Sequence, residues 1–157
     1  MKSKLNKIIL WMQIISVLSI IISAYLTYLH YSDTSSFCNF SEGLSCDVVN
    51  KSIYSEFPPG SGIPVSLMGI ITFLIVLLVL YYIKNDKEIY FGRKKIGRRE
   101  LSEFLFYLMI LSLIFALYLV YTEAFLILSF CVLCLVLDIF IILVLVLSYK
   151  LRGEING

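Results

Sequence analysis

The sequence predicts an all-α membrane protein, a four-transmembrane-helix bundle with one end covered by a polar loop and a short helix. Three observations carry that prediction. Hydrophobic residues make up 60% of the chain, whereas soluble domains run at about 45–50%. Mean hydropathy is +0.93, too high for one soluble core built from 157 residues. Apolar runs long enough to cross a bilayer, about 20 residues each, occur four times.

The first run extends from about Leu5 to Leu29 and follows Lys2, Lys4 and Lys7. It is longer than the roughly 7–15 residues of a signal-peptide core. Tyr25, Tyr28, His30 and Tyr31 stand where small residues would mark a cleavage site, so an uncleaved span is expected. The second run starts near Ile63-Pro64 and ends near Ile83. The third covers about Leu101 to Tyr121 and the fourth about Ala124 to Tyr149, with Thr122-Glu123 expected as a tight hairpin turn between them. Between the first two lies a long polar connection, about Tyr31 to Gly62, closed by Pro58-Pro59-Gly60-Ser61-Gly62. Residues from about Asp47 to Phe57 are expected to form the short helical cap. The length allows one domain, residues 1–157.

Orientation follows from the basic residues, which concentrate on the cytoplasmic side of membrane proteins. In a four-span chain both termini share a side with the connection from Lys84 to Glu100. That side holds every one of the 13 basic residues except Lys51. The expectation is a multi-pass cell-membrane protein with both termini cytoplasmic and the Tyr31–Gly62 loop outside. The cluster Arg93-Lys94-Lys95 with Arg98-Arg99 reads as a solvated, lipid-facing cytoplasmic loop. A net charge of +2 gives no reason to expect nucleic acid as a partner.

The four cysteines then fall at the same end of the bundle. Seven residues separate Cys38 from Cys46, and Gly43 lets so short a loop fold back, so a disulfide is sterically open to them. The outer compartment is where disulfides persist. Cys131-Val-Leu-Cys134 lies seven and ten residues past Ala124, on one face of the fourth helix and roughly 10–15 Å below its outer start. A C-x-x-C pair can cycle between dithiol and disulfide. Each pair has a plainer reading: a structural loop disulfide, and small apolar fillers inside a span. The count also suits a four-cysteine zinc site, against which stand an oxidising exterior and an apolar C-x-x-C face. Together, one pair in water and one just below the membrane surface suit a relay from a soluble dithiol to a lipid-soluble acceptor. Asp138 is the one charged residue inside the fourth span, near its middle. Intramembrane acids point to function by default, and Asp138 follows Cys134 by one turn on the same face. Glu123 is assigned no role, and His30 reads as an interfacial residue.

The ordered set resembles the vitamin K epoxide reductase family in its microbial form. It consists of four spans, the outer cysteine pair and C-x-x-C in the last helix. The stretch Cys46-Asp47-Val-Val-Asn-Lys-Ser52-Ile-Tyr54-Ser55-Glu-Phe57 followed by Gly62-Ile63-Pro64-Val65-Ser66-Leu67-Met-Gly69 adds to the likeness. The resemblance covers almost the whole chain. It implies that Cys38 exchanges with a thioredoxin-like partner. Cys46 then shuttles electrons inward through a transient disulfide to Cys131, and Cys134 reacts with a quinone of the ubiquinone or menaquinone type. Ser52 matches a serine near the family's active site, and no metal is implied. Many microbial relatives carry a fused thioredoxin-like domain; here a partner acting in trans is expected, with disulfide formation outside the cytoplasm as the outcome. Vertebrate members place a tyrosine one turn after the second C-x-x-C cysteine. Asp138 holds that place here, so the vertebrate quinone contacts do not carry over, and Asp138 is expected to help hold the quinone or deliver protons. The competing reading is a non-enzymatic four-span scaffold with a structural loop disulfide. Quinone-linked oxidases with C-x-x-C early in the chain are disfavoured by cysteine order, and a transporter by the scarcity of intramembrane polar residues.

Overall fold

The protein's structure, a computed structural model, describes residues 2–41, 43–85, 89–91 and 94–156. Lys87 and Arg93, two of the basic residues that set the expected topology, lie outside the described residues. Four helices among the described residues are long and apolar enough to span a membrane. They are α1 (Lys2–Tyr31), α3 (Val65–Lys84), α4 (Arg98–Thr122) and α5 (Val132–Asn156). The short helix α2 (Cys46–Asn50) and a 3-10 turn (Ile53–Ser55) form the expected cap. Two small hairpins complete the chain. Strands β1 (Asn39–Ser41) and β2 (Leu44–Ser45) pair in the loop, and β3 (Ile89–Phe91) and β4 (Lys94–Ile96) pair between α3 and α4.

The spans carry large apolar side chains on all sides, as a helix does when its solvent is lipid. Trp11, Ile21, Ile71, Leu78, Leu111, Ile114 and Leu117 are all exposed. What turns inward on α1 is a narrow stripe at helical spacing: Ile9, Met12, Ser16, Ser19, Ser23 and Leu26. Lipid removes most of the hydrophobic drive between helices, so small residues and close backbone approach do the packing instead. Ser16 and Ser19 turn their hydroxyls back onto the Met12 and Ile15 carbonyls, at 2.7 and 2.9 Å. Opposite Ser23, Gly69 of α3 leaves so little room that an added Cβ would stand 3.1 Å from the serine oxygen.

α1 packs along α3 and α5, and α4 packs along α5; α3 and α4 meet only sparingly. The half nearer the chain termini is filled by Met12, Phe73, Val76, Leu80, Leu105, Met109 and Val144 among others. The other half holds a second buried cluster, centred on Leu26, Cys38, Cys46, Val49 and Cys131.

Two boundaries differ from expectation. Thr122-Glu123 is not the hairpin turn, and the last span does not begin at Ala124. α4 continues to Thr122 and winds on through a π-helical turn, Glu123–Ile127. Leu128 then takes a left-handed conformation, φ 56°, that stops it. Phe130 runs extended beside Leu44 and donates its N–H to the Gly43 carbonyl at 3.0 Å. The polypeptide reverses in residues 128–131, inside a run so apolar that hydropathy cannot locate the break.

The cap is laced to the top of α1. Asn50 Nδ2 donates to the Leu26 carbonyl at 2.7 Å. His30 Nδ1 lies 2.7 Å from the Asn50 carbonyl, which can only accept, so Nδ1 carries the proton. The other ring nitrogen of His30 faces Glu56 Oε1 at 3.6 Å. Glu56 in turn accepts the Gly62 N–H at 2.9 Å, and the Tyr31 hydroxyl donates to the Gly62 carbonyl at the same distance. His30 thus fastens the cap to the end of α1.

Candidate active site

Cys38 and Cys46 form a disulfide, and Cys131 and Cys134 are free thiols. The first pair does not lie in water as the sequence suggested: Cys38 is 1% exposed and Cys46 fully buried. The reason is the folding-back of the loop. The β1–β2 hairpin lays residues 43–44 against Phe130, and this draws Cys46 into the same buried cluster as Cys131. Cys46 opens α2, whose N-cap is Ser45, its hydroxyl accepting the Val48 N–H at 3.4 Å.

A carboxylate network holds the loop that carries Cys38. The Ser36 N–H reaches both Asp47 oxygens at 3.1 Å, and Asn39 Nδ2 donates to one of them. Asn39 Oδ1 also accepts from the hydroxyls of Ser36 and Ser45, at 3.1 and 2.8 Å. Burial works to raise the Asp47 carboxyl, but the bonds from Asn39 and Ser36 and the nearby Lys51 charge outweigh it. The carboxyl is therefore held below the usual aspartate value of 3.8. A group lowered on folding stabilises the loop above its unfolded value, and that contribution fades as pH falls through the folded one. Proteolysis of the 36–47 loop in the folded protein should therefore accelerate as pH drops below about 3.8, and Asp47→Asn should flatten that dependence. The same acid response in both proteins would remove this account.

Cys131 stands immediately before α5, not about two turns inside the helix. Its Sγ accepts the Cys134 N–H at 3.2 Å, the role of a helix N-cap. That end of a helix favours negative charge on whatever faces it. The Cys131 N–H is itself donated to Glu123 Oε2 at 3.2 Å. Glu123 is 3% exposed. Sequence reading passed it over because it looked like a turn residue; the π-helical turn swings its carboxylate under the C-x-x-C segment. A lone acid between two apolar runs, two residues after Tyr121 and directly before Ala124, was the one available signal.

Cys134 faces a cavity of about 350 Å³, within the range of small-molecule sites. α3 and α4 form much of its wall, through Met68, Gly69, Thr72, Leu108, Leu111, Ser112, Phe115 and Leu119; Val49, Asn50, Tyr54, Ser55 and Phe57 of the cap segment close its end. The lining is mostly apolar, and Glu123 and Asp138, both of which act electrostatically on Cys134, are among its polar groups. Ser23 also lines the cavity, and its buried hydroxyl has no hydrogen-bond partner among the described residues. Asp138 is the seventh residue of α5, so it lies about 10 Å from the helix start rather than near mid-span. Ser52 does not line the cavity. Its hydroxyl donates to the Val49 carbonyl at 2.7 Å and sets the turn that aims Tyr54 and Ser55 inward. Among the described residues no group of three or more His, Cys, Asp or Glu is placed to hold a metal ion.

The sequence profile described as the Vitamin K epoxide reductase family matches residues 10–149, a stretch that includes the four cysteines, Ser52, Glu123 and Asp138. No curated protein matches the chain.

Proposed function

The chain belongs to the vitamin K epoxide reductase family, and on that premise we propose that this membrane oxidoreductase oxidises a thioredoxin-like partner outside the cytoplasm and reduces a quinone in the membrane. Both termini are cytoplasmic in this reading, which the distribution of basic residues supports. Residues 1–157 act as one domain.

The observation that carries the proposal is the single buried cluster holding Cys46 and Cys131, with Cys134 packed against it and also lining the cavity. A partner thiolate attacks Cys38 and releases Cys46. The freed Cys46 thiolate attacks Cys131 of an oxidised Cys131–Cys134 pair, and Cys134 leaves as a thiolate. Cys38, freed in turn as the partner closes its own disulfide, attacks Cys46 and returns Cys131 as a thiol. Each step is thiolate attack through a mixed disulfide. Reoxidation of Cys131 and Cys134 then breaks two S–H bonds, forms one S–S bond and hands over two electrons and two protons. A quinone supplies the sink for that pair of electrons.

The residues present fit such a group. An apolar slot between α3 and α4 suits a ring with a lipid tail. The unpartnered Ser23 hydroxyl and the Asp138 carboxyl are the polar groups that would hold its oxygens. Ser52 takes part by shaping the cap turn. Because Cys38 is buried, access to it requires the β1–β2 hairpin to lift, and Phe37, 70% exposed beside it, offers the partner its first contact.

Burial of Cys38 would also suit a structural staple, the scaffold reading. The test is purified protein in lipid nanodiscs with a reduced thioredoxin-like protein and either ubiquinone or menaquinone. One quinol should form for each partner disulfide. A partner that stays reduced while quinone is in excess would discard the relay.

A further inference from the structure

The relay as drawn leaves one buried acid without a task. Glu123 is removed from solvent, fixed through Oε2 by the Cys131 N–H, and its carboxylate also interacts with the Cys134 side chain. Burying a carboxyl inside a membrane protein for one backbone hydrogen bond is costly, since a neutral amide accepts the same N–H. The position is made deliberately: the π-helical turn Glu123–Ile127 interrupts α4 at this residue, and such turns recur at functional sites. The other titratable groups lining the cavity are Cys134 and Asp138 from α5 and Tyr54 from the cap; α1 and α3 contribute none.

We propose that Glu123 is the proton acceptor for the C-x-x-C dithiol, taking the Cys134 proton as that sulfur becomes reactive and delivering it to the reduced quinone. The inference rests on the quinone-linked reading above. The balance closes. Cys131 and Cys134 lose one proton and one electron each and join in an S–S bond. The quinone gains both electrons, and its two oxygens gain both protons. Glu123 carries one of those protons across a water-poor gap and ends as it began. Its hold on the Cys131 N–H keeps the carboxylate aimed at the adjacent thiol through the cycle.

Two readouts test this on the full chain in nanodiscs. The first needs no quinone. Redox-difference infrared spectra, taken as a chemical oxidant converts Cys131 and Cys134 to their disulfide, should contain a protonated-carboxyl band. That band should vanish in Glu123→Gln and persist in Asp138→Asn. The second is quinol formation against pH. Glu123→Gln keeps the acceptor for the Cys131 N–H, yet its rate should fall about 10²-fold near neutral pH, the scale of general-base catalysis. The deficit should narrow as pH rises and hydroxide takes over the proton. Glu123→Asp should recover part of the rate if the Gln variant folds poorly. A loss equal at every pH with the band retained would reduce Glu123 to a structural prop and overturn the proposal, as would wild-type behaviour. If the wild type forms no quinol but the Glu123 band still follows the disulfide, the quinone reading falls while the proton role stands.

Discussion

Cys134→Ser should abolish quinol formation, by at least about 10⁴-fold, the scale seen when a nucleophile is removed. It should also convert the protein into a cross-linked species. With Cys134 gone, Cys131 keeps its thiol inside the same buried cluster as the Cys38–Cys46 disulfide. Attack of Cys131 on Cys46 then frees Cys38; Cys134 can no longer displace Cys46 from Cys131, and alkylation of the freed Cys38 stops it from attacking Cys46 in return. Mass spectrometry after digestion should find peptides joined through Cys46 and Cys131. Cys131→Ser should be equally inactive yet show no such link. A scaffold with a structural staple predicts the opposite pattern, an intact Cys38–Cys46 bond in both variants. The extent of trapping measures how readily the β1–β2 hairpin lets Cys46 turn, since the hairpin is pinned by the Phe130 N–H on Gly43.

Asp138→Asn should slow quinol formation by roughly 10- to 100-fold, as loss of a positioned acid does, while oxidation of the partner dithiol in a single turnover proceeds as before. The separation follows from placement. Asp138 lines the cavity one turn beyond Cys134. Partner exchange uses the Cys38–Cys46 pair, so only the last transfer, at Cys134, feels the substitution. Stopped-flow mixing with partner alone, then with quinone, separates the two phases. Equal slowing of both phases would mean that Asp138 supports the bundle instead of the reaction, and unchanged quinol kinetics would remove it from the site.

Much of this organisation was legible from residue order. The four spans, the cap and the shared end of the cysteines follow from runs of apolar residues interrupted by polar ones. Hydropathy fails where polarity does not change. From Ala124 to Cys131 the chain is as apolar as any span, so the π-helical turn, the left-handed Leu128 and the reversal before Val132 left no mark on it. The same failure misplaced Cys131 inside a helix and left Glu123 in a supposed turn. His30 was likewise opaque: its partners, Asn50 and Glu56, are 20 and 26 positions away, and nothing local announces them.

Alone, the sequence determined the solvent, the number of crossings and which end of the bundle carries sulfur. These depend on transfer of side chains from water to lipid, a property of composition along the chain. Tertiary structure decided what touches what: the loop folding down so that its disulfide is buried, Glu123 meeting the C-x-x-C segment, and α3 standing off from α4 to leave a cavity at Cys134. Those are outcomes of hydrogen bonds and packing between segments distant in the chain. Such contacts turn on distances of a few ångströms that no one-dimensional pattern records.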